Sequence, residues 1–537
     1  LKPGGTLTKG SCSPIPCDGI VGAHGGESFG FGRVAAPIKL DPTGWNTFQI
    51  TVRGEAMPGL INGTALTLAK MDQGRRYGEI ALKIGSGDVR FKDVRMLDFI
   101  ERPSVLPTEY TSPQFKKIQV SDLFYSEGIA AGDFNHDGFQ DVVSGPFIYY
   151  GPDFTKSSEL YPPYPLAPAG HPEQGEEQPQ AGMIVHGAYS NSFISFVYDF
   201  NNDGWPDVLT VMGFGPRPTF SGHLFINPKG ESHHWENYNV APLITTEINQ
   251  FVDIDGDGKP ELVTELATTP NWTDNQEGYL KVDWSDPTKP WTFHPISEKG
   301  TWGGHGAGVG DINGDGRKDI LAAFGWWEQP PAGSTGLWKY HEQRFGRDGT
   351  NCGPGCGGSE ILVYDVNADG LPDVITSLAA HGAGLGWFEQ KRDGSGGISW
   401  VKHTIMGDPN DTPEQRQSWE ETDKKVAFTE LHALAYADMD GDGVTDIITG
   451  KRWLSHGYTY QENDRDSPAV LYWFRTVRKP GGKVEFEPHL IHNNSGVGTF
   501  MAAVDVNGDG TPDVLTTARK GTFIFLNNLR KLSAPRP

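Results

Sequence analysis

The chain has 537 residues, a formal charge of −23 at pH 7 and 36% hydrophobic residues. It contains no apolar run of the roughly 18–20 residues that a membrane-spanning helix needs. It also lacks a basic stripe with interleaved aromatics, so neither a membrane span nor nucleic-acid binding is expected.

Residues 1–102 read as a β-meander. Trp45–Val52 alternates, Gly59–Thr64 reads as strand and turn, and Tyr77–Ile84 and Val89–Arg95 follow as strands. Leu1 is not an initiator Met and no secretory leader is visible, so a processed or truncated chain is expected. The cysteines form two local pairs, Cys12/Cys17 and Cys352/Cys356. A disulfide within each pair is the first reading, and a Cys₄ zinc site is the alternative if the two segments meet. Asn62, Asn271, Asn410 and Asn493 head glycosylation sequons. Residues 103–114 read as a linker and 531–537 as a tail.

Residues 115–530 are organised by a recurring loop, clearest in Asp311-Ile312-Asn313-Gly314-Asp315-Gly316-Arg317-Lys318-Asp319. Seven copies start at Asp133, Asp199, Asp253, Asp311, Asp365, Asp438 and Asp505, spaced 66, 54, 58, 54, 73 and 67 residues apart. Oxygen-bearing side chains stand at loop positions 1, 3, 5 and 9. The sets are Asp133, Asn135, Asp137, Asp141; Asp199, Asn201, Asp203, Asp207; Asp253, Asp255, Asp257, Glu261; and Asp311, Asn313, Asp315, Asp319. They continue as Asp365, Asn367, Asp369, Asp373; Asp438, Asp440, Asp442, Asp446; and Asp505, Asn507, Asp509, Asp513. Such a shell suits Ca²⁺, and the glycine at position 6 permits a sharp turn. An EF-hand would carry Glu at position 12; here stand Ser144, Thr210, Thr264, Ala322, Thr376, Thr449 and Thr516, and a β-strand follows instead of a helix. A plain Asn/Asp/Gly hairpin turn would not require the acid at position 9. Up to seven structural Ca²⁺ are therefore expected; they would offset about 14 of the negative charges.

A repeat near 60 residues with strands on both sides of each loop is the signature of a propeller or other repeat array. The fold class expected is all-β, a seven-bladed β-propeller preceded by a partial sandwich segment. After Asp505 only two strands remain, so Phe115–Val120 is expected to supply the outer strand of the last blade.

The residues six before each loop are Glu127, Phe193, Glu247, His305, Ser359, His432 and Thr499. They should stand at equivalent heights on the inner strands, away from the Ca²⁺ loops. Connections opening on the same face add His381, Lys451, Arg452, His456, Arg519 and Lys520, and the approach to the second blade adds His186 and Asn191. Lys or Arg would hold a carboxylate or ketone oxygen. His and Glu would move protons, and Trp302, Trp326 and Trp453 would stack on sugar rings. The same His/Glu set could hold a transition metal. Alternatively these groups simply satisfy one another around a water-filled channel.

The loops and their flanking strands resemble the FG-GAP/VCBS repeats of seven-bladed propellers across residues 115–530. Within 1–102 the Trp45-Asn46-Thr47 strand, the Asn62-Gly63 turn and Val89-Arg90-Phe91-Lys92-Asp93-Val94-Arg95 resemble the second half of the concanavalin-like 3-keto-disaccharide hydrolase domain. Its first half is absent, so no catalysis is carried over from it. The segment Phe428–Asp438, with Ala380-His381-Gly382, is similar to blades of the aldos-2-ulose dehydratase propeller. The combination is also similar to secreted planctomycete-type proteins. That resemblance implies a keto-sugar substrate, elimination of water, and metal-binding or acid/base roles for His432 and His381. The expectation is thus a secreted carbohydrate lyase or dehydratase with His305, His432, His381, Glu127, Glu247 and Arg452 as catalytic candidates. The rivals are a non-catalytic carbohydrate-binding, adhesion or extracellular structural subunit, self-associating as a homo-oligomer or filament through 1–102, and a glycoside hydrolase. The last needs Glu127 and Glu247 about 5–10 Å apart.

Overall fold

The computed structural model describes residues 108–163, 190, 192–214, 219–268, 274–301, 304–347, 357–407, 426–453, 455 and 467–529. Within the first hundred it describes 6–7, 20–22, 33–34, 38–39, 41, 44–50, 59–67 and 80–82. All four cysteines, the Val89–Arg95 strand and the residues His186, Asn191, Trp302 and His456 lie outside the described residues. The chain divides into two compact units. One comprises Leu1–Leu106, Ile184–Tyr189 and His456–Gln461; the other comprises Pro107–Met183, Ser190–Ser455 and Glu462–Pro537.

In the first unit Phe48–Ile50, Gly59–Ile61 and Thr64–Thr67 form the expected meander, extended at Thr64–Thr67 by Arg33–Val34. Asn62, at φ 49°, and Gly63 make its turn. Ile80–Leu82 is not the next strand of that meander: it pairs antiparallel with Ile20–Gly22.

The second unit is seven four-stranded antiparallel modules, each with one carboxylate loop between its first and second strands. Module 1 runs through Ile129–Gly132, Asp141–Ser144, Phe147–Tyr150 and Lys156–Glu159. The first strands of modules 2 to 6 are Ser192–Tyr198, Gln250–Val252, Gly308–Gly310, Ile361–Tyr364 and Leu434–Ala437. Modules 2 and 3 are joined by one pairing, Ile244 with Leu266. Module 7 has Ala502–Val504, Asp513–Ala518 and Gly521–Asn527 from the chain's end, and its fourth strand is Phe115–Ser121. The strand expected from 115–120 therefore pairs where the sequence left a place for it.

The core is distributed between neighbouring modules. Ile129, Val142 and Tyr149 of module 1 pack with Val506, Leu515 and Ile524 of module 7, so the order of modules is cyclic. Similar clusters join module 1 to 2, 3 to 4, 4 to 5, 5 to 6 and 6 to 7. Each wholly buried aliphatic or aromatic side chain contributes about 1.5–3 kcal/mol. No sheet could bury both faces alone, which is why the modules fold as one unit.

First strands of successive modules run parallel and close, as Ala307 with Glu360 and Ser126 with Ser192 show. A Cβ at Gly306 would stand 1.6 Å from the Ser359 carbonyl oxygen, so only glycine fits there.

The loops are held by their own backbone. Asp311 Oδ1 and Oδ2 accept the N–H groups of Asp315 and Gly316 at 3.0 and 2.8 Å. The acid at position 9 is wholly buried in every loop. Asp319 accepts from Ile312 N–H and Gln329 N–H, both at 2.9 Å, so one carboxylate ties the loop to the end of the third strand. Asp141, Asp207, Asp373, Asp446 and Asp513 make the same two bonds. The tie gives the acid at that position a structural role independent of any cation.

Candidate functional site

The loop carboxylates form one kind of site. Oxygen atoms of Asp253, Asp255 and Glu261 lie within 4.8 Å of one another, as do those of Asp438, Asp440 and Asp446. Burial pushes the position-9 acids up to about 6 or 7, against the backbone N–H groups that favour the charged form. A wholly buried carboxylate beside further acids, in an all-oxygen shell, fits a hard divalent cation.

The second site gathers His305, His432 and Glu247, each six residues before a loop, with His381, Glu430 and Arg452. His305 precedes the first strand of module 4, and His432 that of module 6. His381 lies on the turn between the second and third strands of module 5, closed by Gly382 N–H to Ala379 O at 3.0 Å. The facing Nε2 atoms of His305 and His381 are 2.8 Å apart. His381 Nδ1 stands 3.1 Å from Glu430 Oε2, and the same oxygen is 3.8 Å from His432 Nδ1. His432 Nε2 is 4.0 Å from Glu247 Oε2. That glutamate oxygen is 3.5 Å from Arg452 Nη1, while Arg452 Nε donates to Glu127 Oε2 at 3.0 Å.

Five of the six catalytic candidates thus link through Glu247, the three histidines and Arg452, and Glu127 joins through the guanidinium. Glu430 was not among them. It lies in the segment Phe428–Asp438, two residues before His432 and ahead of the strand that begins at Leu434, so no strand periodicity marks it. Its backbone sits at φ 62°, a conformation costly for glutamate. That turn ties three segments. Glu430 N–H donates to Gly382 O at 2.8 Å, Arg452 N–H donates to Glu430 O at 2.9 Å, and His432 N–H donates to the same oxygen at 3.1 Å.

Burial separates the histidines. His432 is wholly buried, and the His381 side chain is 16% exposed. His305 is also partly exposed, so His305 and His381 form the accessible side. Arg452 is buried between two carboxylates and is no free anchor for a substrate. Lys451 is buried too and donates to Thr429 Oγ1 at 2.8 Å. One expected sugar platform is corrected: Trp326 is buried, stacked on His341 at 3.9 Å. Trp453 is partly exposed and carries the Lys520 ammonium 3.8 Å over its ring. Phe193 packs inward on Phe220, and its carbonyl accepts from Thr499 Oγ1 at 2.9 Å. Ser359 Oγ donates to the carbonyls of Leu431 and His432. Glu360 beside it is buried; burial pushes it up to about 8, against Leu434 N–H and the Gln250 side chain.

One ligand atom from each of His381, Glu430 and His432 lies within 4.8 Å of the others. Imidazole nitrogens with one carboxylate oxygen suit a borderline ion such as Zn²⁺.

Residues 198–264 match the FG-GAP-like repeat family, a span holding the loops at Asp199 and Asp253. No curated protein matches the chain. Among solved structures the chain is similar to the V. cholerae biofilm matrix protein Bap1, at 10% identity over 77% of this chain and 91% of that one, with a TM-score of 0.35. It is similar to the rhamnogalacturonan lyase YesW at 12% identity over 98% and 88%, with a TM-score of 0.33. It is similar to a Bacillus licheniformis rhamnogalacturonan lyase at 12% identity over 96% and 86%, with a TM-score of 0.36. Likeness at this level carries no functional inference. No helix among the described residues is long and apolar enough to cross a membrane.

Proposed function

We propose that this chain is a secreted carbohydrate lyase or dehydratase, built on a seven-bladed propeller with Ca²⁺-binding loops, that removes a proton beside a keto or uronate carbonyl and expels the β-leaving group. The observation that carries this reading is the contact between His305 Nε2 and His381 Nε2 at 2.8 Å, backed by Glu430 on His381 Nδ1.

Two imidazole nitrogens at that distance share one proton, so the pair holds one donor and one acceptor. That is the composition an elimination requires. The neutral ring takes the C–H proton, the C–H electron pair becomes the new double bond, and the C–O bond breaks. The protonated ring then gives its proton to the departing oxygen. Glu430 keeps a hydrogen on His381 Nδ1, which makes His381 Nε2 the acceptor and His305 Nε2 the donor of the pair. His432, buried behind, steadies the same carboxylate. Glu247 and Glu127 are held by Arg452. A Zn²⁺-like ion held by His381, Glu430 and His432 would replace the His381–Glu430 hydrogen bond and would supply Lewis-acid stabilisation of a developing enolate oxygen as the alternative to the imidazole pair.

A non-catalytic carbohydrate-binding or structural role is favoured by a different observation: Lys451, Arg452 and His432 are all buried within the protein's own network. A glycoside hydrolase is disfavoured, because Glu127 and Glu247 engage one guanidinium and neither is set apart as an acid. Incubation with 3-keto-glucosides, anhydrofructose and unsaturation-prone uronides, followed by enone absorbance, tests the proposal. Absorbance that grows with the wild type and is lost in His305→Ala and His381→Ala supports it. No absorbance with any of these substrates, or equal rates in the variants, leaves the binding role.

A further inference from the structure

The position-5 aspartates of the loops are met by different partners, and two loops stand apart because one cation there bridges two loop acids. In each loop the position-5 aspartate spends Oδ1 on a backbone N–H, as Asp137, Asp257, Asp315, Asp369 and Asp442 do with the residue at position 7. In three of the loops with asparagine at position 3 that side chain is a donor, and Lys229 and Arg317 reach Oδ2 of Asp203 and Asp315 in the second and fourth loops. Asn135, Asn313 and Asn367 Nδ2 donate to Oδ2 of Asp137, Asp315 and Asp369 at 3.0, 2.9 and 3.1 Å.

Two loops carry aspartate at position 3, Asp255 and Asp440, which has no hydrogen to give. There a cation arrives from the third strand. Lys281 Nζ bonds Oδ2 of both Asp255 and Asp257, the latter at 2.9 Å. Arg475 Nε donates to Asp440 Oδ2 at 2.6 Å and Nη2 to Asp442 Oδ2 at 2.8 Å. The two cations occupy the same register position. Leu262 pairs with Leu280 and Ile447 with Phe474, so each cation follows the residue opposite loop position 10. By the same register the other five modules carry Tyr150, Ile226, Glu328, Glu389 and Leu526 there. A cation at that register position occurs with aspartate at loop position 3, where it bonds the position-3 and position-5 acids together; Lys229, Arg317 and Lys391 approach other loops from other positions, each on the position-5 acid alone of the loop's carboxylates.

We propose that Lys281 and Arg475 are resident counter-cations of the third and sixth loops. Each sits on carboxylate oxygens that Ca²⁺ would take, holds its loop in shape without a divalent ion, and must be displaced before one binds. These two loops are then the last to load as Ca²⁺ rises, although they carry the most acid. The proposal rests on the reading of the loops as Ca²⁺ sites. A unit charge a few ångströms from the ion, partly exposed, changes affinity by about tenfold or more.

The test uses the full chain stripped with EDTA, titrated with Ca²⁺ by calorimetry and melted with and without Ca²⁺. In Lys281→Met or Arg475→Met one weak Ca²⁺ site should tighten by about tenfold, while the melting temperature in EDTA falls. The double variant Asp255→Asn with Lys281→Met turns the third loop into the asparagine kind. It should regain the wild-type melting temperature in EDTA without regaining the weak site. Unchanged or weaker Ca²⁺ binding in Lys281→Met and Arg475→Met overturns the counter-cation role while leaving the loops as Ca²⁺ sites. No Ca²⁺ uptake by the wild type overturns the Ca²⁺ reading itself, and displacement with it. If Lys281→Met does not fold, the double variant alone decides: a tight third site supports the proposal and a weak one overturns it.

Discussion

Glu430 Oε2 stands 3.1 Å from Nδ1 of His381, with the Glu430 backbone at φ 62°. A carboxylate on Nδ1 decides which nitrogen of the ring faces outward. The left-handed turn is what brings the carboxylate to His381 and, through its carbonyl, aligns Arg452 and His432.

Two substitutions separate these roles. Glu430→Gly suits the backbone but removes the carboxylate; it should retain the wild-type fold and lose roughly 10–100-fold in elimination rate. Glu430→Gln keeps the size but can turn an amide N–H toward His381 Nδ1, which changes the nitrogen that carries the hydrogen. Nitrogen NMR of the His381 ring would show the tautomer ratio change. An unchanged ratio would assign Glu430 to the backbone alone.

Arg452→Met should be among the most destabilising single changes in the second unit. It leaves Glu127 buried without its charge partner and removes a cation from Glu247. Breaking a buried pair on one side costs about 3–5 kcal/mol. Denaturant unfolding of Arg452→Met and of Arg452→Met with Glu127→Gln measures it. The double variant should recover part of the loss.

Glu360 makes stability depend on pH. Its folded value is raised to about 8, because burial opposes the charge. Below the ordinary carboxylate range both states are protonated and the group contributes no slope. As pH rises from there to about 8, the unfolded chain releases the proton and the folded chain keeps it, so stability falls through that window and levels off above it. Melting temperatures of wild type and Glu360→Gln from pH 5 to 8.5 should diverge, the variant being the more stable at the upper end. Parallel curves would place the charge elsewhere.

Removal of Phe115–Ser121 should open module 7. Phe115 is buried and packs in the cluster shared by modules 6 and 7, and the strand covers the edge Gly521–Asn527. An uncovered strand edge associates. A chain beginning after Ser121 should melt without a single cooperative transition and aggregate on size exclusion, and adding the segment as a peptide should restore a monomer peak.

The loops were legible because their chemistry is local. Alternating Asp and Asn, a glycine at position 6 and an acid at position 9 lie within nine residues, and their spacing shows the repeat without any contact being known. The all-β class, the outer strand at 115–120 and the ring position of His305, Glu247 and His432 follow from that register. What the local pattern leaves open is decided across modules. Trp326 reads like a platform for sugar, yet stacking on His341 buries it, since packing against a neighbouring strand is a property of the sheet. Glu430 becomes a partner of His381 only because an unusual backbone turn meets a loop from the preceding module. Lys281 and Arg475 reach their loops through strand pairing 20 and 29 residues beyond position 9, a relation that sequence distance hides and the sheet register supplies.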